Sequence, residues 1–187
     1  MKKKNEFVID VNEDGCLVLP AELALRYGLK PGASIRVKGD TNRLTLSRPV
    51  TQLAKVYIEA TNRCNLDCVT CIRRNWDEPL GTMSPEIFSR ILDGLRSFDP
   101  APDIFFGGLG EPLAHPDILS MVREAKALGS AVELITNATL LSASMSAGLV
   151  ECGLDKLWVS LDGATPESYA DVRLGAALPE VLHNLHE

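Results

Sequence analysis

Between Thr61 and Trp76 the chain reads Thr-Asn-Arg-Cys64-Asn-Leu-Asp-Cys68-Val-Thr-Cys71-Ile-Arg-Arg-Asn-Trp, which puts three of its five cysteines within eight positions. Intervals of three and then two residues let one tight loop aim three thiols at a common centre, as an iron–sulfur cluster or a zinc ion requires. A four-iron cluster held by three thiolates keeps one iron without a protein ligand, and that iron can take a substrate. Structural zinc wants four Cys or His ligands. The other candidates, Cys16, His115 and Cys152, form no second ligand pair at the usual spacing, so the cluster is the leading reading and zinc its alternative.

Charge divides the chain. Residues 1–50 hold nine Lys or Arg against six Asp or Glu, whereas residues 51–187 hold ten against nineteen. A basic head on an acidic body implies two modules, with Ser47-Arg-Pro-Val-Thr51 as the junction. No run of eighteen apolar residues is present, and the Met1-Lys-Lys-Lys-Asn-Glu start lacks the apolar stretch of a signal peptide. The expectation is a cytoplasmic protein with no membrane partner, in which clustered thiols mean metal chemistry rather than disulfides.

The pattern of residues 51–187 alternates strand and helix four times, which predicts parallel strands joined by crossover helices. Strands are expected at Lys55–Thr61, Asp103–Phe106, Ala131–Thr136 and Lys156–Leu161. The first helix is expected to start at Ser84-Pro85 and bury Ile87, Phe88, Ile91, Leu92 and Leu95. The second spans Pro116–Leu128 and is stopped by Gly129; the third is capped by Ser142 and runs to Cys152. Each chemistry-bearing motif then falls at the carboxyl end of a strand. The cysteine loop follows the first, Gly107-Gly108-Leu-Gly110-Glu111 the second, Asn137 the third, and Ser160 with Asp162 the fourth. Glycines there let a ligand approach the main chain, and Glu111 can accept a hydrogen bond from an ammonium group.

Cys64-x3-Cys68-x2-Cys71 after a first strand, followed by Gly107-Gly108-x-Gly110-Glu111-Pro112, resembles the radical S-adenosylmethionine (SAM) superfamily. The resemblance implies a partial (β/α) barrel, of which about four units are present. It also implies a [4Fe–4S] cluster on Cys64, Cys68 and Cys71 whose open iron chelates SAM. Reductive cleavage of SAM would then give a 5′-deoxyadenosyl radical, with a protein such as ferredoxin or flavodoxin as electron donor. By the same resemblance Gly107, Gly108, Gly110 and Glu111 hold SAM's amino group, while Asn137, Ser160 and Asp162 lie near its sugar and sulfonium. Thr70 stands where the family usually has an aromatic residue, and Ala138 where it usually has glycine. The longer stretch Cys64–Gly81 resembles the maturases of tungsten-containing aldehyde:ferredoxin oxidoreductases, which implies an oxidoreductase or a peptide as target. Arg73 and Arg74, beside the third cysteine, would favour the cluster's reduced state, the alternative being that they sit on the surface. The family core has six strand–helix units, so a partial or truncated version of a longer enzyme is the expectation.

The first module reads as short strands around one helix: Glu6–Asp10, Cys16–Leu19, a helix over Ala21–Tyr27 stopped by Gly28, a turn at Lys30-Pro-Gly32, then Ser34–Lys38 and Arg43–Ser47. With Asp14-Gly-Cys-Leu-Val-Leu-Pro20 and Gly28-Leu-Lys-Pro-Gly32 it resembles the β-rich AbrB/SpoVT swapped-hairpin domain, which implies a barrel completed by homodimerisation through residues 1–50. Arg26, Lys30, Arg36, Lys38, Arg43 and Arg48 are read first as a solvated basic face and, as the alternative, as phosphate contacts to DNA. Cys16 is expected to be a buried structural thiol. His115 is expected to cap or solvate a loop, Cys152 to pack within its helix, and His183 and His186 to be exposed.

Overall fold

The computed structural model describes residues 8–27, 29, 32–47 and 53–186. The chain separates into two compact units, Met1–Val50 and Thr51–Glu187.

In the second unit the strands, numbered on from the four of the first unit, are β5 (Lys55–Ile58), β6 (Asp103–Phe106), β7 (Val132–Thr136) and β8 (Lys156–Val159). They form one parallel sheet in the order β5-β6-β7-β8. Its register pairs Ile58 with Phe106, Phe106 with Leu134, and Thr136 with Val159. Helices fill the crossovers: α2 (Pro85–Leu95), α3 (Ile118–Lys126) and α4 (Ala143–Glu151), as parallel neighbours demand. Two further helices, α5 (Pro166–Val172) and α6 (Leu178–His186), follow β8.

Alternation within the strands decides which face is covered. Ile104, Phe106, Val132 and Leu134 have no exposed surface and pack with Phe88, Leu92, Met121, Val122 and Ala125 of the helices. Each of these larger side chains contributes roughly 1.5–3 kcal/mol by leaving water. The opposite face, with Tyr57, Phe105, Glu133 and Trp158, is half-open: Tyr57 is 72% and Trp158 47% exposed. Glu133 ties that face together, accepting from Lys55 Nζ at 2.9 Å and from Trp158 Nε1 at 2.8 Å.

Helix starts follow the sequence closely. Ser84 and Ser142 each accept a main-chain N–H three residues on, and Pro85 occupies the first position of α2. Gly129 ends the α3 segment in the left-handed region, at φ +83°. Some expectations need correction. Ile87 is 51% exposed, because the apolar stripe of α2 is centred on Phe88, Leu92 and Leu95. β5 ends at Ile58 rather than Thr61 and β8 at Val159 rather than Leu161, the chain leaving the sheet where the site loops begin. Among the described residues the sheet is open, ending at β5 and β8.

His115 does not face solvent. It is 3% exposed; its Nε2 meets Met83 O at 3.0 Å and its Nδ1 accepts from Asp117 N at 3.0 Å, so it joins the start of α2 to the start of α3. Cys152 is buried as expected, its thiol donating to Leu119 O at 3.2 Å, and His183 and His186 are exposed. Among the described residues no helix is long and apolar enough to cross a membrane.

The first unit is two antiparallel ladders, β1 (Asp10–Val11) with β2 (Leu17–Val18) and β3 (Arg36–Asp40) with β4 (Arg43–Ser47), plus α1 (Ala21–Arg26). The first strand is shifted toward Val11, and Cys16 lies outside the strands and is exposed, because Asn12 ties the preceding turn by accepting from Cys16 N at 2.7 Å. None of the described residues of this unit is buried. The expectations that fall on Glu6, Phe7, Gly28, Lys30, Pro31, Arg48 and the junction 48–52 lie outside the described residues.

Candidate active site

The loops after the four strands meet at one end of the sheet. After β5 the cysteine loop leaves through a clipped stem. Thr61 Oγ1 donates to Gly81 O at 2.7 Å, Gly81 N donates to Asn62 Oδ1 at 2.7 Å, and Asn62 Nδ2 donates to Pro79 O at 3.0 Å. These bonds close the segment 61–81 into a loop whose ends are fixed and whose middle holds the thiols.

Two other loops grip that middle. Asn137, buried at the end of β7, donates from Nδ2 to Cys64 Sγ at 3.8 Å and to Asn65 Oδ1 at 3.1 Å, while Asn65 Nδ2 donates to Thr139 Oγ1 at 2.7 Å. From beyond α5, Arg173 Nη1 donates to Cys68 Sγ at 3.9 Å. Burial pushes the Cys68 thiol up; Arg173 opposes that, and Cys64 and Cys71 stand close enough to add to it. All three thiols therefore share one electrostatic neighbourhood. Cys71 is followed by a 3-10 turn, Ile72–Asn75, which aims Arg73 inward: its Nε and Nη1 are buried with no hydrogen-bond partner among the described residues. Arg74 instead faces out, 3.8 Å from Asp67. Thr70 is exposed.

The glycine segment after β6 packs directly on this loop. Glu111 N donates to Arg63 O at 2.8 Å, and a Cβ on Gly110 would lie 2.0 Å from Thr61 O. Gly107 is buried where a side chain would meet Phe105 and Ile135, and Gly108 is exposed at φ +151° beside the Glu59 carboxylate, which accepts from Leu109 N. Glu111 is 2% exposed; its carboxylate accepts from Thr136 Oγ1 at 2.8 Å, Leu113 N at 3.0 Å and Asn137 N at 2.7 Å. Those bonds use three of roughly four acceptor positions of a carboxylate. Burial drives its pKa above the ordinary carboxylate value, with the three donors working against that rise. Ala138 adopts φ +60°, the left-handed conformation that glycine takes most readily.

After β8, Ser160 N donates to Thr136 O at 2.9 Å, and the exposed Asp162 carboxylate lies 2.6 Å from Arg173 Nη2. The structure thus gathers Cys64, Cys68, Cys71, Gly110, Glu111 and Asn137 into one bonded assembly, with Asp162 joined to it through Arg173. Sequence reasoning missed Arg173, Asn65 and Glu59, and placed Thr136 at a strand end beside Asn137 without giving it a role. Asp162-Gly163, a turn signal followed by Thr165-Pro166 as a helix start, was the one local clue that a helix end would return toward this site.

The expectation of sulfurs aimed at one point needs restating. Among the described residues no three His, Cys, Asp or Glu side chains group as a single metal ion would need, so the zinc alternative gains no ligand set. A cubane makes a different demand, because its three thiolates bind three separate irons. The donor chemistry fits such a cluster: three thiols, N–H groups directed at two of their sulfurs, and buried guanidinium nitrogens of Arg73 and Arg173 that lack a partner.

Residues 58–187 match the family described as the Radical SAM superfamily. The chain belongs to that superfamily. It is 40% identical over 126 residues to the tungsten-containing aldehyde ferredoxin oxidoreductase cofactor-modifying protein of Pyrococcus furiosus, covering 67% of this chain and 35% of that protein. It is 35% identical over 164 residues to the Fe-coproporphyrin III synthase of Methanosarcina barkeri, covering 84% and 40%. The radical SAM chain therefore spans well under half the length of these relatives. Among solved structures, BtrN in complex with AdoMet and 2-DOIA aligns with a TM-score of 0.56 at 23% identity, over 71% of this chain and 56% of BtrN, a likeness of fold. Radical SAM enzymes use a [4Fe–4S] cluster and SAM.

Proposed function

We propose that Cys64, Cys68 and Cys71 hold a [4Fe–4S] cluster and that SAM binds beside it against Gly107, Gly108, Gly110, Glu111, Asn137, Ser160 and Asp162, in a radical SAM enzyme that modifies a metal cofactor or a peptide. The observation that carries this reading is the assembly of three thiols on one clipped loop, with N–H···S donors on Cys64 and Cys68 and the Arg173 guanidinium at Cys68. The similarity to the Pyrococcus furiosus protein favours maturation of a tungsten oxidoreductase as the use of that chemistry. Cys64, Cys68 and Cys71 would hold the cluster, which when bound would supply the one-electron chemistry for reductive cleavage of SAM. A reductant protein such as ferredoxin or flavodoxin delivers that electron.

The chain's own residues have distinct tasks. Gly107 N donates to Ile58 O at 3.1 Å and closes the end of β6, so the exposed Gly108, which has no side chain, is where a ligand can approach the main chain. Glu111 ties the glycine segment to the end of β7, holding Gly110 and Asn137 in one frame beside the thiol loop. Glu59, Ser160 and Asp162 add polar atoms on the same rim.

Anaerobic reconstitution with iron and sulfide, then metal analysis and an assay for 5′-deoxyadenosine, tests the reading. The wild-type chain takes up four irons and cleaves SAM, and Cys64→Ala, Cys68→Ala or Cys71→Ala loses most of the iron. A colourless protein carrying one zinc would overturn it.

For residues 1–50 we propose an AbrB/SpoVT-like domain that pairs with a second copy. No described residue of this unit is buried, Leu25 and Leu44 are 83% and 63% exposed, and a groove of about 340 Å³ is lined by Ile9, Leu19, Leu23, Leu29, Ile35 and Leu46. Such surface is expensive to leave in water. Sedimentation equilibrium on the full chain is expected to give a dimer, and Leu44→Asp a monomer; a monomeric wild type would remove the idea.

A further inference from the structure

Arg173 is the one cation that touches a thiol of the cysteine loop through a hydrogen bond among the described interactions. It sits at the end of α5 with its side chain 14% exposed, and its guanidinium spans two acceptors: Asp162 Oδ2, 2.6 Å from Nη2, and Cys68 Sγ, 3.9 Å from Nη1. Its Nε is buried without a partner. The main chain on either side is laced to the same loop, with Val69 N donating to Val172 O at 2.9 Å and Asp67 N donating to Leu174 O at 3.2 Å. The side chain is thus held against Cys68 by its own backbone. The contrast with Cys64 is chemical, since that sulfur receives only neutral donors, Leu66 N at 3.5 Å and Asn137 Nδ2 at 3.8 Å.

We propose that Arg173 is a positioning residue that fixes the Cys68 sulfur through a charged N–H···S contact and, with Asp162 as its counter-charge, sets how readily the cluster on this loop accepts an electron. The inference rests on the cluster reading above. One-electron reduction adds a negative charge to the cluster. A cation at a ligating sulfur, its own side chain 14% exposed, stabilises the reduced form more than the oxidised one. Asp162 works in the opposite sense, because it cancels part of the field that Arg173 presents. The pair therefore predicts opposite signs for two neighbouring substitutions, which a purely structural role does not.

The test is a potentiometric titration with dithionite on the reconstituted full chain, followed by electron paramagnetic resonance, with iron content measured on every sample. Arg173→Gln shifts the midpoint to more negative potential, so that the reduced fraction at a fixed potential falls by roughly tenfold, about 59 mV for one electron. Asp162→Asn shifts it to more positive potential, and Arg173→Lys, which keeps the charge but loses the two-pronged geometry, falls between Gln and wild type. With full iron loading, unchanged midpoints, or shifts of the same sign for Arg173→Gln and Asp162→Asn, overturn the proposal. If Arg173→Gln fails to load, Asp162→Asn decides alone: a positive shift supports the assignment and no shift refutes it. A wild-type chain that takes up no iron defeats the cluster reading itself, a result separable from the others by metal analysis.

Discussion

Gly110→Ala is expected to detach the cysteine loop from the glycine segment, costing about 3 kcal/mol of stability and most of the iron loading. An added Cβ would lie 2.0 Å from Thr61 O and 2.7 Å from Arg63 O. Both are main-chain atoms, so neither can rotate aside as the end of a long side chain would. Relief requires the 61–63 backbone to move, and that movement breaks the bond from Glu111 N to Arg63 O, now 2.8 Å. The displaced stem is also the one clipped to Gly81 by Thr61 and Asn62, so the strain passes into the loop that carries the thiols. Gly94→Ala is the matched control. It lies inside α2 with nothing within 4 Å of its added Cβ, and alanine there should stabilise by about 0.5–1 kcal/mol. Thermal melts of both variants with iron analysis check the pair. A Gly110→Ala protein that melts and loads like wild type would show that the contact between these loops is not needed.

What the sequence displayed was whatever is written locally. Three cysteines within eight residues, glycines directly after a strand, and serine caps before helices are short-range signals, and the structure has each of them in its expected element. The parallel order of the sheet followed from helices in the crossovers. What stayed hidden depends on pairing across the chain. Arg173 meets Cys68 from 105 residues away, and Asn65 meets Thr139 from 74, distances at which neither periodicity nor a turn signature carries information. Asn137 was legible as a site residue at a strand end, but its bonds to Cys64 and Asn65 on the thiol loop were not. His115 caps its loop as expected but does so from a buried position, and Cys16, expected to be buried, is exposed at a turn, because burial of a lone polar or sulfur side chain is set by its neighbours in space.

Glu111 joins these two kinds of residue, conspicuous in the motif yet acting through long-range bonds, and its replacement is the second large effect expected. Glu111→Ala removes the acceptor for Thr136 Oγ1, Leu113 N and Asn137 N at once, leaving buried donors unpaired and costing about 3 kcal/mol. Glu111→Gln keeps the volume but turns an NH2 toward one of those main-chain N–H groups whichever way the amide is set, so it should lose about 1–3 kcal/mol. The two proteins also differ in their dependence on pH. Burial raises the folded-state pKa of Glu111, so between the ordinary carboxylate value and that raised value the folded chain holds a proton the unfolded chain has released. Its contribution is complete below the unfolded pKa and is lost as pH rises through the folded one. Glutamine does not titrate. The stability gap between wild type and Glu111→Gln should therefore be widest at mildly acidic pH and narrow toward neutrality, as urea denaturation of the metal-free chains at several pH values would read directly. A gap that widened with pH would mean the three donors outweigh burial and that the carboxylate is held ionised, which would make Glu111 the better partner for SAM's ammonium group.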